Sequence, residues 1–112
     1  MRKLEEKRIR EGGKLGLRKS TVESSKIGVD CFCGILNGAV ILSYERFNNC
    51  CLISLTRTSS NEIKTTIPKV VRDLTNINDN DTVSIFEDNH DIFIIPTSRE
   101  KEILRELGVK LY

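Results

Sequence analysis

The sequence predicts a mainly β protein with short helices, of the α+β class, and three observations lead there. Two apolar, β-prone runs flank Asn37-Gly38 in VDCFCGIL-NG-AVILSYERF. Residues 63–96 read as a strand ending at Ile67-Pro68, one short helix, an Asn/Asp-rich turn and two alternating strands. A last helical pattern follows Pro96.

In chain order, residues 2–11 have helix-forming composition (Leu4, Glu5, Glu6, Lys7, Arg8) but few apolar residues, and Gly12-Gly13 ends any helix there. Residues 12–26 mix Gly, Lys, Ser and Thr and read as a linker or arm. Asn37-Gly38 suits a type I′ turn because both of its central residues need positive φ. That turn sets Leu36 opposite Ala39, Ile35 opposite Val40 and Cys33 opposite Leu42. Both runs are almost continuously apolar, as expected of a hairpin buried on two faces or covering another sheet.

A third strand spans Cys51 to Thr58, and the tip Ser59-Ser60-Asn61 turns into a fourth, Ile63 to Ile67. Pro68 pre-sets φ for a helix start without giving up a needed donor, and the helix runs through Val70, Val71, Arg72 and Leu74. Asn76 to Asp81 makes a turn whose side chains satisfy local backbone groups. Strands over 82–87 and 92–95 follow, separated by Asp88-Asn89-His90-Asp91. Thr97-Ser98-Arg99-Glu100 fits a capping box opening a helix with Ile103, Leu104 and Leu107 on one side, which Gly108 stops. No internal repeat is evident.

This order divides the chain into a basic arm or linker (1–26), an extra hairpin (27–49), a unit over 50–97, and a C-terminal helix with its tail (98–112). The stretch over 63–96 is too short to bury its own apolar faces, which implies a second copy of the chain.

The 112 residues fit one domain, 38% hydrophobic and 30% charged, as in ordinary folded proteins. The net charge of +2 hides an asymmetry. Residues 1–49 carry ten Lys/Arg against six Asp/Glu, residues 50–97 four against seven, and residues 98–112 four against three. Positive charge therefore gathers in the first segment, the pattern of an arm that touches nucleic acid or of a solvated tail. No apolar run approaches the roughly 18 residues of a membrane span. The basic start MRKLEEKRIR lacks the apolar stretch of a secretory signal, so an intracellular, cytoplasmic protein with no membrane partner is expected.

The chemistry of an enzyme is missing. The one histidine, His90, sits in a polar turn, and no phosphate-cradling loop occurs. Asp79, Asp81, Asp88 and Asp91 lack the spacing of a Ca²⁺ loop and read as turn residues. Cys31, Cys33, Cys50 and Cys51 offer four thiols for zinc, for disulfides or for plain burial. Adjacent Cys50 and Cys51 point to opposite faces of a strand, which disfavours a shared tetrahedral site, so no metal and no cofactor is expected.

From about Leu52 to Pro96 the chain resembles the AbrB/MazE/SpoVT swapped-hairpin DNA-binding family. The matching pieces are the strand ending Ile67-Pro68, Lys69-Val70-Val71-Arg72, Leu74 with Ile77, the acidic turn, Val83-Ser84-Ile85, and Ile92-Phe93-Ile94-Ile95-Pro96. The resemblance implies a homodimer in which two chains exchange hairpins to form one small β-barrel, with basic residues on a two-fold face lying on double-stranded DNA. Carried over residue by residue, it implies DNA contacts from Arg57, Lys64, Lys69 and Arg72. The arm would add contacts from Arg2, Lys3, Lys7, Arg8, Arg10, Lys14, Arg18 and Lys19. Two departures stand out: the tip between the first two strands is Ser59-Ser60-Asn61-Glu62 rather than a Gly turn, and a complete hairpin precedes the matching unit.

The function expected on this basis is a nucleoid-associated transcriptional regulator or chromatin-like factor. The rival is an antitoxin, in which the same fold carries a segment that wraps a toxin or other protein partner. The sixteen residues after Pro96 are short for such a segment.

Overall fold

A computed structural model describes residues 1–58 and 61–108. The expected Ser59-Ser60 tip and the tail after Gly108 lie outside the described residues. The fold is mainly β with short helices. Its elements are β1 (Arg2–Arg8), β2 (Lys14–Arg18), α1 (Lys19–Glu23), β3 (Asp30–Leu36), β4 (Ala39–Ser43), β5 (Cys51–Ser54) and β6 (Thr56–Arg57). There follow β7 (Glu62–Thr66), α2 (Lys69–Thr75), β8 (Thr82–Asp88), β9 (Asp91–Pro96), a 3-10 turn (Thr97–Arg99) and α3 (Glu100–Glu106). No helix among the described residues is long and apolar enough to cross a membrane.

Two turns set the registers. Asn37 and Gly38 have φ of 48° and 86°, and β3 pairs with β4 from Leu36↔Ala39 to Phe32↔Ser43, as the Asn-Gly dipeptide demands. Asn89 and His90, at φ 50° and 71°, make the same kind of turn between β8 and β9, with Asp88 opposite Asp91. Asn and His tolerate this left-handed backbone better than most non-glycine residues. His90 is thereby an exposed turn residue.

Residues 1–26 are not an arm. Arg2–Arg8 forms a strand on the edge of β8, with an irregularity between Lys3 and Glu5, and Lys14–Arg18 pairs with β7. Helix-forming composition gives way here to backbone pairing, since an open edge on β8 offers a ladder that a short solvated helix cannot match. The residues over 27–49 are no appendage either, because β3 and β4 lie inside a six-stranded sheet ordered β1-β8-β9-β4-β3-β5.

That order has an internal symmetry. The chain runs strand, strand, helix, strand, strand twice: once through β1, β2, α1, β3 and β4, and again through β5/β6, β7, α2, β8 and β9. Each half lends its first strand to the other, β1 to β8 and β5 to β3. Like strands meet at the centre, β4 with β9 around Ile41↔Phe93 and β2 with β7 around Leu15↔Thr65. The matched crossings have matched bonds: the Ile9 amide donates to the Asp81 carbonyl at 2.8 Å, and the Leu55 amide to the Val29 carbonyl at 2.8 Å. One chain therefore contains two halves related by a pseudo-two-fold axis, a repeat that its sequence does not display.

At Ile9 and Leu55, both buried, the chain leaves the six-stranded sheet for a smaller sheet ordered β2-β7-β6. The strands form two layers with bent corners and close no barrel, because the ladder is interrupted at these corners. Leu15, Leu17 and Ile63 of the small sheet pack with Cys31, Cys33, Val40, Leu42, Val83, Ile85, Ile92 and Ile94 of the large one in a single cluster. Every second residue of each strand faces that layer. The opposite face of the large sheet, with Ile41, Phe86, Phe93 and Ile95, is covered by Ile103 and Leu104 of α3. The inner apolar side chains of β7, β8 and β9 thus pack with the first half of the same chain, Phe86, Phe93 and Ile95 are covered by α3, and Val70 and Leu74 of α2 stay exposed.

The capping box expected at Thr97 does not form. No side chain caps either the 3-10 turn or α3; the Thr97 hydroxyl instead lies 2.9 Å from the Ser84 hydroxyl. Gly108, at φ 73°, ends α3 as expected.

Candidate nucleic-acid interface

The small sheet turns one face to the core and the other to solvent. In β2, Leu15 and Leu17 point inward at 1% exposure, so Lys14, Gly16 and Arg18 share the outer alternation. In β7, Ile63 and Thr65 are buried, and Glu62, Lys64 and Thr66 alternate outward. Register then sets these side chains in rows across the face. Arg10 bridges Lys14, and Lys14 stands opposite Thr66. Gly16 stands opposite Lys64, which pairs with Thr56 on its other side. Arg18 stands opposite Glu62.

Lys14 and Lys64 are related by the pseudo-axis through Leu15↔Thr65 and lie on a diagonal, about 7 Å apart at the backbone. Both are exposed and neither has an ion pair among the described residues, and the same holds for Arg8, Arg10 and Arg57. A groove of about 560 Å³ runs beside the two lysines, lined by Lys14, Thr56, Lys64 and Thr66 with Ile53 and Thr65. Glu62 is the acid on the outer alternation of β2 and β7, and Glu11 is exposed in the tip beside Lys14. Glu62 lies across Gly16, where a β-carbon would overlap its carboxylate, and its charge is matched by Lys7 Nζ at 3.2 Å.

The expected site residues divide sharply by partner. Lys64 is on the face, whereas Arg57, exposed on the short edge strand β6, stands opposite buried Ile63 and so on the other alternation from Lys64. Lys69 is exposed on α2 and 3.5 Å from Asp73. Arg72 is otherwise engaged. Its Nε donates to the Ile67 carbonyl at 2.9 Å, its Nη1 lies 3.7 Å from Asp79 Oδ1, and it packs against Gly13 so closely that no β-carbon fits there. Asp79 in turn accepts the Gly12 and Gly13 amides, each at 3.2 Å. Arg72 and Asp79 therefore hold the Gly12-Gly13 tip, at φ of 80° and 77°, that aims Lys14. Arg72, expected among the DNA contacts, is thus tied to Ile67 and Asp79 within the chain.

Of the residues once assigned to an arm, Arg2 pairs with Glu87 at 3.5 Å and Lys3 with Glu6 and Glu100 at 2.7 and 3.0 Å. Lys19 pairs with Glu23 at 3.8 Å. The Arg18 Nε lies 3.8 Å from Glu5, a buried carboxylate that also accepts the Arg18 amide at 3.1 Å and the Thr21 hydroxyl. Arg8, Arg10 and Lys14 keep their charge for solvent. Sequence reasoning missed that Arg10, Lys14 and Lys64 would share one face, because residues 1–26 show no strand pattern and the repeat appears only in the order of the folded elements.

The cysteines stand apart from this face. Cys31 and Cys33 are buried on β3, and burial pushes both thiols up to about 12. Cys51, exposed, stands opposite Cys33 with its Sγ 3.6 Å from the Cys33 carbonyl oxygen. Among the described residues no three His, Cys, Asp or Glu are grouped to hold a metal. Iodoacetamide at pH 8 is expected to label Cys51 while leaving Cys31 and Cys33 intact until the chain unfolds, because the thiolate is the nucleophile. Mass spectrometry of peptides after a timed exposure checks this.

No family model, curated protein or solved structure matches this chain.

Proposed function

We propose that the protein is a DNA-binding protein of AbrB-like, hairpin-exchanging architecture, acting as a transcriptional regulator or chromatin-like factor. The observation that carries this reading is the exposed outer face of β2 and β7, where Arg10, Lys14 and Lys64 have no ion pair among the described residues. Cations free of internal partners are the ones that release counterions when they meet phosphates. The face is an extended sheet beside a groove rather than an enclosed cavity, and Glu62 on it already has a lysine beside it. A polyanion fits it better than a small anion.

Titration of a 20–30 base-pair duplex against the protein over a range of salt concentrations tests the reading. About four neutralised phosphates give a slope near −4 in log affinity against log salt. The double variant Lys14→Ala/Lys64→Ala is expected to lose roughly 2 kcal/mol, about thirtyfold in affinity, and to flatten the slope by about 2. Its thermal unfolding should match the parent, since both lysines are exposed. Equal affinity for parent and variant would exclude this face.

A further inference from the structure

The pseudo-two-fold axis passes through one chain, and its two ends are chemically different. Beside Lys14 stand Arg10 and Thr66, with the short tip Glu11-Gly12-Gly13 next to them. Beside Lys64 stand Thr56 and Gly16, then Arg18 and Glu62 with Lys7. A homodimer would present two identical ends and would read a site whose halves repeat. Here the exchanged strands that a second chain would supply, β1 on β8 and β5 on β3, come from the same chain. The outer edge of the large sheet is blunted at β1 by Arg2, Lys3, Glu6, Lys7 and Arg8 and at β5 by a length of four residues.

We infer that one chain alone forms the DNA-reading unit and that it binds an asymmetric site in a single orientation. The Arg10/Lys14 end seats on the phosphate backbone, and the mixed Lys64/Glu62/Arg18 end takes the half where both a donor and an acceptor are met. This rests on the DNA-binding reading above. Arg10 and Lys14 are donors only, and their contacts to phosphate carry no sequence information. A carboxylate among cations discriminates, because it accepts from a base amine and repels a misplaced phosphate.

Sedimentation of the free protein, followed by selection of duplexes from a random pool and sedimentation of the complex, tests it. The free chain is expected at the monomer mass of 12.7 kDa, one chain per selected duplex, with a consensus that is not self-complementary. Lys14→Ala should weaken binding to every duplex alike and flatten the salt slope by about 1, while Glu62→Gln should change base preference at one end of the consensus only. A free chain of twice the monomer mass, two chains per duplex or a palindromic consensus would each overturn the inference and leave DNA binding standing. A monomer that binds no duplex would instead overturn the DNA reading, and this inference with it.

Discussion

Between pH 9 and pH 12 the folded chain is expected to lose about 4 kcal/mol of stability for each of Cys31 and Cys33, roughly 1.4 kcal/mol per pH unit per thiol. Both thiols sit on the inner side of β3 in the layer between the sheets, where burial raises them from 9.0 to about 12. A thiol raised on folding stays neutral in the native state while the unfolded chain already ionises. Its contribution is complete below the unfolded value near 9 and disappears as pH climbs to the folded value near 12. Because small domains have only about 5–15 kcal/mol in total, losses of this order weaken the fold markedly in alkali. Urea midpoints measured from pH 7 to pH 10.5 check this against Cys31→Val/Cys33→Val, which removes the ionisable groups at similar volume. The expected result is a parent curve that falls more steeply above pH 9 than that of the variant. Parallel curves would mean that the thiols are solvated.

Replacing Arg72 with alanine is expected to cost about 3 kcal/mol, the second-largest effect. The side chain is 16% exposed, and its removal leaves the Ile67 carbonyl, in a residue with no exposure, without its Nε donor at 2.9 Å. A lost charged hydrogen bond to a buried group costs about 1.5–3 kcal/mol, and the vacated space over Gly13 adds to that. The same substitution unties Asp79, and with it the Gly12 and Gly13 amides that shape the tip before Lys14. Two readouts separate this from a contact role: chemical denaturation should show the loss, while the salt slope for DNA should keep its value at a temperature where the variant is folded. A direct phosphate contact would instead flatten the slope by about 1 without the loss of stability.

How much was legible in the sequence follows from where each signal lies. Asn37-Gly38 announces its hairpin because a two-residue turn needs positive φ at both positions, and the register of β3 with β4 then has one solution. The alternation over 82–95 likewise marks β8 and β9. The strand Arg2–Arg8 could not be seen this way. Its paired edge alternates weakly, its buried side chain is the carboxylate of Glu5, and its ladder partner lies some eighty residues away. Buried acids and distant partners leave no local pattern.

The repeat was hidden for a related reason. At matched positions the halves share residues such as Lys14/Lys64, Lys19/Lys69, Ile27/Ile77 and Asn37/Asn89, while their tips and turns differ in length. Burial constrains only which positions are apolar, so Leu17 can stand for Ile67 and Cys33 for Ile85. The sequence led to half of a two-fold object, because the other half is written in different residues. Lys64 was reached through the resemblance. Arg10 and Lys14 were named as parts of an arm, and only the pairing of β2 with β7 brings them beside Lys64 on one face.

The most direct measurement is a map of backbone amide shifts of the labelled protein as a duplex is added at low salt. Shifts concentrated at Arg10, Lys14, Gly16, Lys64 and Thr66, with α3 unmoved, are the expected result. Shifts centred on α3 and the outer face of the large sheet, or none at all, would contradict the interface proposed for this chain.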